Sequence, residues 1–280
     1  MSEHMINTRV GRLKVTAEGE GGGDRPTAVL WHSLFVDERT WERVVPDLAS
    51  DRNLIIITGP GHGASGDAGH RYTMDDCAEA ALEILDAVGV EEPVDWVGNA
   101  WGGHVGIVFA SQHPNRVRTL ITAGTPLHPY KLADRLTTSL LVLIYRWFGP
   151  IRYLTDAVAD ALLSEHTRST DPSAAELVRD CFTSADQAGM TNAVISTSLN
   201  RLDLKPVLPA IQTPTLFITG SAHRDWSPAQ MRTAADLLPH GSTRVVDAAA
   251  YLVPLEAPTQ LTRCVREFWT THPAPAKEHN

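Results

Sequence analysis

Gly98-Asn99-Ala100-Trp101-Gly102-Gly103 is the stretch on which the reading of this chain turns. Before it, Val94-Asp95-Trp96-Val97 is a short apolar run of strand type; after it, His104 to Ala110 continues as a helix. Glycines on both sides of position 100 let backbone segments pass closely, as a sharp strand-to-helix turn requires. The frame G-x-S-x-G uses such a turn to present a serine oxygen, and here alanine stands at the serine position. The turn is present and the reactive oxygen is missing.

Outward from this turn, apolar runs alternate with helical patterns. Strands are expected at Arg9 to Ala17, Ala28 to Trp31, Leu54 to Ile57, Val94 to Val97 and Arg118 to Ala123. Helices are expected at Trp41 to Leu48, at Asp75 to Val88 with Thr73 and Asp76 spaced as a cap, and from the turn to His113. From about Tyr130 to Arg201 the pattern is helix after helix, and Leu140 to Phe148 is apolar on nearly all sides. The strand-helix rhythm resumes at Thr215 to Thr219 and Thr243 to Val246 and ends with a helix at Leu261 to Trp269. The class is α/β, a mostly parallel sheet with helices on both faces. The expected division is a core of residues 1–125 and 206–280, with a helical lid over 126–205 inserted after the strand that follows the turn helix.

At 280 residues, 43 % hydrophobic and 20 % charged, the chain can bury a large core and is no disordered segment. A net charge of −9 argues against nucleic acid or an anionic membrane as partner, since lysine and arginine drive both. Cys77, Cys181 and Cys264 are too few and too scattered for a disulfide framework or metal cluster; Cys77 and Cys264 read as buried small hydrophobes. MSEHMINTRV lacks the apolar stretch of a signal peptide, and no run approaches the roughly 20 apolar residues of a membrane span, so a cytoplasmic location is expected. No histidine pair and carboxylate have metal-ligand spacing, and Gly21 to Gly23 lacks the lysine and Ser/Thr of a phosphate loop. Neither metal nor cofactor is expected. A monomer and a homodimer both stand open.

Five motifs follow one another: Trp31-His32-Ser33-Leu34 with Asp37 and Trp41, Gly61-His62-Gly63, Gly98 to Gly103, Pro214-Thr215-Leu216 leading to Gly220, and Pro254-Leu255-Glu256-Ala257-Pro258. In this order the chain resembles the α/β-hydrolase superfamily, particularly its small lactonases, esterases and C–C hydrolases. His32-Ser33-Leu34 is similar to the oxyanion turn of enol-lactonase-like members. The resemblance implies the α/β-hydrolase fold and a triad in the chain order Ser, acid, His. Those positions fall on Ala100, His223 and Tyr251, and all three depart from the pattern. It also implies that the backbone amides of Leu34 and Trp101 serve as oxyanion donors.

Alanine has no lone pair for attack, and a phenol with a reference pKa near ~10 is a poor base at neutral pH. Serine-ester hydrolysis through Ala100 is therefore not expected. His223 and Tyr251 read either as an acid/base pair facing the cavity above Ala100 or as fillers of the space left by Asp and His. Asp225 reads either as the group orienting that base or as a solvated charge paired with Arg224. Ser33, Asn99, His104 and Tyr145 are the further pocket candidates; His104, one turn past Ala100, reads equally as a packed helix residue. His32 and His62 read as structural braces. The expected function is a non-serine enzyme carrying out a lyase, isomerase or cyclase step on a hydrophobic, carbonyl-bearing small molecule. Two alternatives stand beside it: a non-catalytic ligand binder, and an ester or lactone hydrolase whose triad was replaced by engineering.

Overall fold

The computed structural model describes residues 2–19 and 25–274. The Gly21 to Gly23 turn lies outside the described residues. Eight strands form one sheet: β1 (Ser2–Thr8), β2 (Gly11–Glu18), β3 (Thr27–Trp31), β4 (Asn53–Ile57), β5 (Val94–Asn99), β6 (Val117–Ala123), β7 (Thr215–Gly220) and β8 (Gly241–Val246), in the order β1-β2-β4-β3-β5-β6-β7-β8. β1 and β2 are antiparallel to their neighbours, and the pairings from β4 across to β8 are parallel.

Period-2 alternation sends each central strand to two cores. Val29 and Trp31 of β3, Ile55 and Ile57 of β4, and Trp96 of β5 join one cluster. Ala28 and Leu30, Leu54 and Ile56, and Val97 join the other. The first face is covered by α2 (Met74–Ala87) and α3 (Trp101–Gln112), the second by short α1 (Val45–Leu48) and, at the chain's end, α10 (Val253–Glu256) and α11 (Pro258–Thr271). Thr73 caps α2 as its spacing suggested: its hydroxyl accepts from the Asp76 amide, and the Asp76 carboxylate accepts from the Thr73 amide.

One local expectation changes, and two elements join those expected. Ser2–Thr8 is a strand although it has no apolar face, because it pairs along its whole length with β2. The helix expected over Trp41 to Leu48 divides into a 3-10 turn at Glu38–Trp41 and α1, where Pro46 has no amide hydrogen to continue the ladder. Between β7 and β8 the chain forms α9 (Pro228–Ala235), opened by a reciprocal cap of Ser227 and Gln230.

Between β6 and β7 the chain runs through α4 (Leu132–Phe148), α5 (Arg152–Leu162), α6 (Glu165–Thr170), α7 (Pro172–Ser184) and α8 (Gln187–Val194), closed by a π-turn at Ile195–Leu199. These inserted helices carry small apolar clusters of their own, into which Phe35, Val36 and Leu252 of the sheet's loops also pack. All three cysteines are buried and free.

Candidate active site

The site begins where β5 ends. Ala100 caps α3 with φ 45° and ψ −100°, a left-handed conformation unusual for a residue with a Cβ. Close packing around it explains the neighbouring glycines. A Cβ on Gly102 would lie 2.0 Å from the Trp31 carbonyl oxygen, and one on Gly98 would lie 2.2 Å from the Gly102 backbone. The Ala100 amide donates to Ala123 O at 2.8 Å and the Gly102 amide to His32 O at 3.1 Å, tying the turn to β6 and the β3 loop. The sharp turn is thus built in full around a methyl group.

Leu34 and Trp101 sit on either side of this turn. Trp101 is the first residue of α3, so its amide has no partner inside the helix. The Leu34 amide likewise donates to no group among the described residues. The loop bearing Leu34 is braced by two buried histidines. His32 Nε2 accepts from the Gly59 amide at 2.8 Å while its Nδ1 faces Ser33 O at 2.6 Å. His62 Nε2 accepts from the Phe35 amide at 3.2 Å while its Nδ1 faces Pro60 O at 2.9 Å. Burial pushes the His62 imidazole down to about 3, so it braces as a neutral ring. The Trp101 indole lies edge-on to Trp31 and His32, beneath the turn, and packs rather than lining a wall.

Two later loops bring Tyr251, His223 and Asp225 together. The His223 and Tyr251 ring centroids are 3.8 Å apart, and the Tyr251 hydroxyl donates a hydrogen bond to Asp225 Oδ2. His223 Nδ1 accepts from the Asp225 amide at 3.2 Å, which places the ring hydrogen on Nε2. That Nε2 is buried without a hydrogen-bond partner of ordinary geometry among the described residues. Burial lowers His223 to about 4, so at neutral pH it is an uncharged donor. Burial first, then the Asp225 hydrogen bond, raises Tyr251 well above the ordinary phenol range, and it keeps its proton. Asp225 is thus bonded to the phenol; it makes no ion pair with Arg224 among the described residues.

Asn99 links this group to the turn. Its side-chain amide donates to Tyr251 O at 2.7 Å and Ala123 O at 2.9 Å, and its Oδ1 is buried without a partner among the described residues. Ser33 is buried beside Leu34 and uses its carbonyl, not its hydroxyl, to hold His32. His104 turns to the Pro126 carbonyl at 2.7 Å, and burial lowers it to about 3; it is a packed helix residue. Tyr145 lies in the inserted helices, its hydroxyl buried without a partner among the described residues, and faces a cavity of about 210 Å³. Phe35, one residue past Leu34, forms part of that cavity's wall with Tyr130, Leu141, Leu162 and Phe182. Tyr251 packs on the cluster that supplies Leu162, and its amide donates to Leu162 O at 3.3 Å.

Arg201 was invisible as a site residue, because an arginine after a helical run carries no signal of its own. It stands beside the group: its guanidinium lies 5.1 Å from the Tyr130 ring centroid and donates to His128 O at 2.7 Å, while its Nε is buried without a partner among the described residues. Burial lowers its pKa, opposed by Tyr130, Tyr251 and Asp225.

The family model described as alpha/beta hydrolase fold matches residues 26–258. The chain belongs to the α/β-hydrolase fold family. Over 104 residues this α/β-hydrolase is 37 % identical to 2-hydroxymuconate semialdehyde hydrolase of Pseudomonas sp. (strain CF600), a match that covers 37 % of the chain and 34 % of that relative. It is 25 % identical over 261 residues to pimeloyl-[acyl-carrier protein] methyl ester esterase of Xanthomonas oryzae pv. oryzae (strain MAFF 311018), covering 90 % of the chain and 98 % of the relative. Among solved structures, the enol-lactonase from Burkholderia xenovorans LB400 superposes with a TM-score of 0.85 at 23 % identity, covering 95 % of this chain and all of that one, a likeness of fold. The expected lyase, isomerase or cyclase step is corrected by these relatives, whose names are those of hydrolases and esterases. The chemistry they point to is hydrolysis.

Proposed function

We propose that the protein hydrolyses an ester or lactone of a mainly apolar small molecule, with water attacking the carbonyl directly and no covalent acyl-enzyme. The relatives' names support hydrolysis; the residues of this chain support the route. Positions 100, 223 and 251 carry Ala, His and Tyr in place of Ser, acid and His, so the serine mechanism is lost as a unit. The observation that carries the reading is the Asp225 carboxylate bonded to the Tyr251 hydroxyl on the loop that Asn99 ties to the turn.

Water attacks the substrate carbonyl carbon as Asp225 takes one of its protons. The carbonyl oxygen becomes an oxyanion between the amides of Leu34 and Trp101. On collapse the bond to the leaving oxygen breaks, and the proton held by Asp225 passes to that oxygen. Tyr251, fixed in its protonated form, orients the carboxylate, and Arg201 offsets negative charge nearby. The inserted helices act as a cap, with the apolar cavity beside Phe35 receiving the substrate's hydrocarbon part.

Asp225→Asn is expected to lower kcat/KM on a panel of esters and lactones by about 10²–10⁴-fold, the range of a lost general base. Tyr251→Phe is expected to lower turnover by less, about tenfold, with substrate affinity held. Intact-mass measurement during turnover is expected to find no acyl adduct, and a fluorophosphonate probe no labelled residue. A covalent adduct, or full activity in Asp225→Asn, overturns the mechanism.

A further inference from the structure

Helix α4 presents apolar residues on two opposite sides. Leu141, Val142 and Tyr145 point into the cavity beneath it. On the outer side Leu132, Leu136, Leu140, Leu143 and Trp147 are between 52 % and 74 % exposed. At about 100° per residue these five fall within an arc of about 80°, a single straight stripe about 22 Å long. Phe148, Ile151 and Tyr153 extend it into the start of α5 and are exposed as well. Ordinary soluble surfaces scatter such residues singly; a continuous row marks a contact face.

The charges around the stripe name its occupant. Residues 131–153 hold four basic side chains, Lys131, Arg135, Arg146 and Arg152, and a single acidic one, Asp134, in a chain whose net charge is −9. Arg135 and Arg146 project along one edge of the stripe, within about 60° of it on the helical wheel. Lys131, Arg135 and Arg146 make no ion pair among the described residues, and Arg152 has only Asp156, four residues on, at 3.5 Å. A second copy docking stripe to stripe would bring these cations against one another. The face is also a convex helix rather than a groove, suited to a flat surface.

We propose that α4 and the start of α5 dock the protein onto an anionic phospholipid surface, with the leucine row and Trp147, Phe148 and Tyr153 entering the headgroup boundary and the basic edge facing lipid phosphates. The helix lies in the plane of the surface; no helix among the described residues is long and apolar enough to cross a membrane. The net charge of the whole chain hides this face because all but one of its acidic residues lie outside residues 131–153. Docking by the outer side of α4 leaves only that helix between the lipid and the apolar cavity on its inner side.

The six other tryptophans, Trp31, Trp41, Trp96, Trp101, Trp226 and Trp269, are buried, so quenching by brominated lipid reports Trp147 selectively. The full chain is expected to co-float with phosphatidylcholine vesicles containing phosphatidylserine, with Trp147 quenched, and to bind vesicles of phosphatidylcholine alone at least tenfold more weakly. Leu136→Glu with Leu143→Glu, both at exposed positions, is expected to abolish flotation with an unchanged circular dichroism spectrum. Arg135→Gln and Arg146→Gln are each expected to weaken binding about fivefold. Equal binding by the Leu→Glu variant, no binding to anionic vesicles, or a stripe-dependent dimer or acidic-protein complex in its place, overturns the proposal.

Discussion

At position 100 the left-handed turn between β5 and α3 carries a methyl group and no nucleophilic oxygen. Placing a hydroxyl there is not expected to create a serine nucleophile, because the buried imidazoles around the turn are already engaged. His223 Nδ1 is taken by the Asp225 amide, and His32, His62 and His104 hold backbone groups. Ala100→Ser is therefore expected to leave p-nitrophenyl ester hydrolysis within about twofold of the parent and to remain unlabelled by a fluorophosphonate. A rise of tenfold or more would identify a base among these histidines. Asp225 shows where residue-level reading ends. Its partner is a tyrosine 26 positions later, and charge proximity in sequence points instead to Arg224.

The elements follow their sequence where a pattern is local and depart from it where a partner is distant. The turn from β5 into α3 was legible because its glycines answer to sterics within a few residues. Gly102 is the sharpest case, and Gly102→Ala is expected to destabilise the fold by more than about 3 kcal/mol, since a Cβ would meet backbone rather than a flexible side chain. Chemical denaturation checks this, and a loss below about 1 kcal/mol would show that β3 can retreat. β1 was illegible for the opposite reason: SEHMINT has no apolar alternation, and only β2 beside it makes it a strand. The inserted helices were read correctly as helical, yet which side of α4 faces the cavity was decided by α5, α7 and α8.

For the whole molecule, acid is the condition that tests how it is held together. His62 and His104 are held down to about 3 and His223 to about 4, from an ordinary 6.5, each by burial first. The unfolded chain takes up these protons as pH falls below about 6.5 while the folded chain refuses them until about 3–4. The stability they contribute is intact above the unfolded value and is lost progressively through that window. Near pH 5 the loss is of order 2 kcal/mol per histidine. The melting temperature is expected to fall steeply between about pH 6.5 and 4, and less steeply in His104→Gln. A flat profile over that range would mean the rings become protonated in place.

The sequence by itself determined the α/β architecture, the sharp turn around Ala100, the capped helix after Thr73 and the absence of a serine oxygen. All of these depend on residue type and short spacing. Only the tertiary structure decided that Asp225 meets Tyr251, that Arg201 stands beside them, that His104 turns away to Pro126, and that α4 leaves a leucine row uncovered. Those outcomes depend on which side of each loop and helix is buried, and burial is a property of the packed molecule that no local pattern encodes.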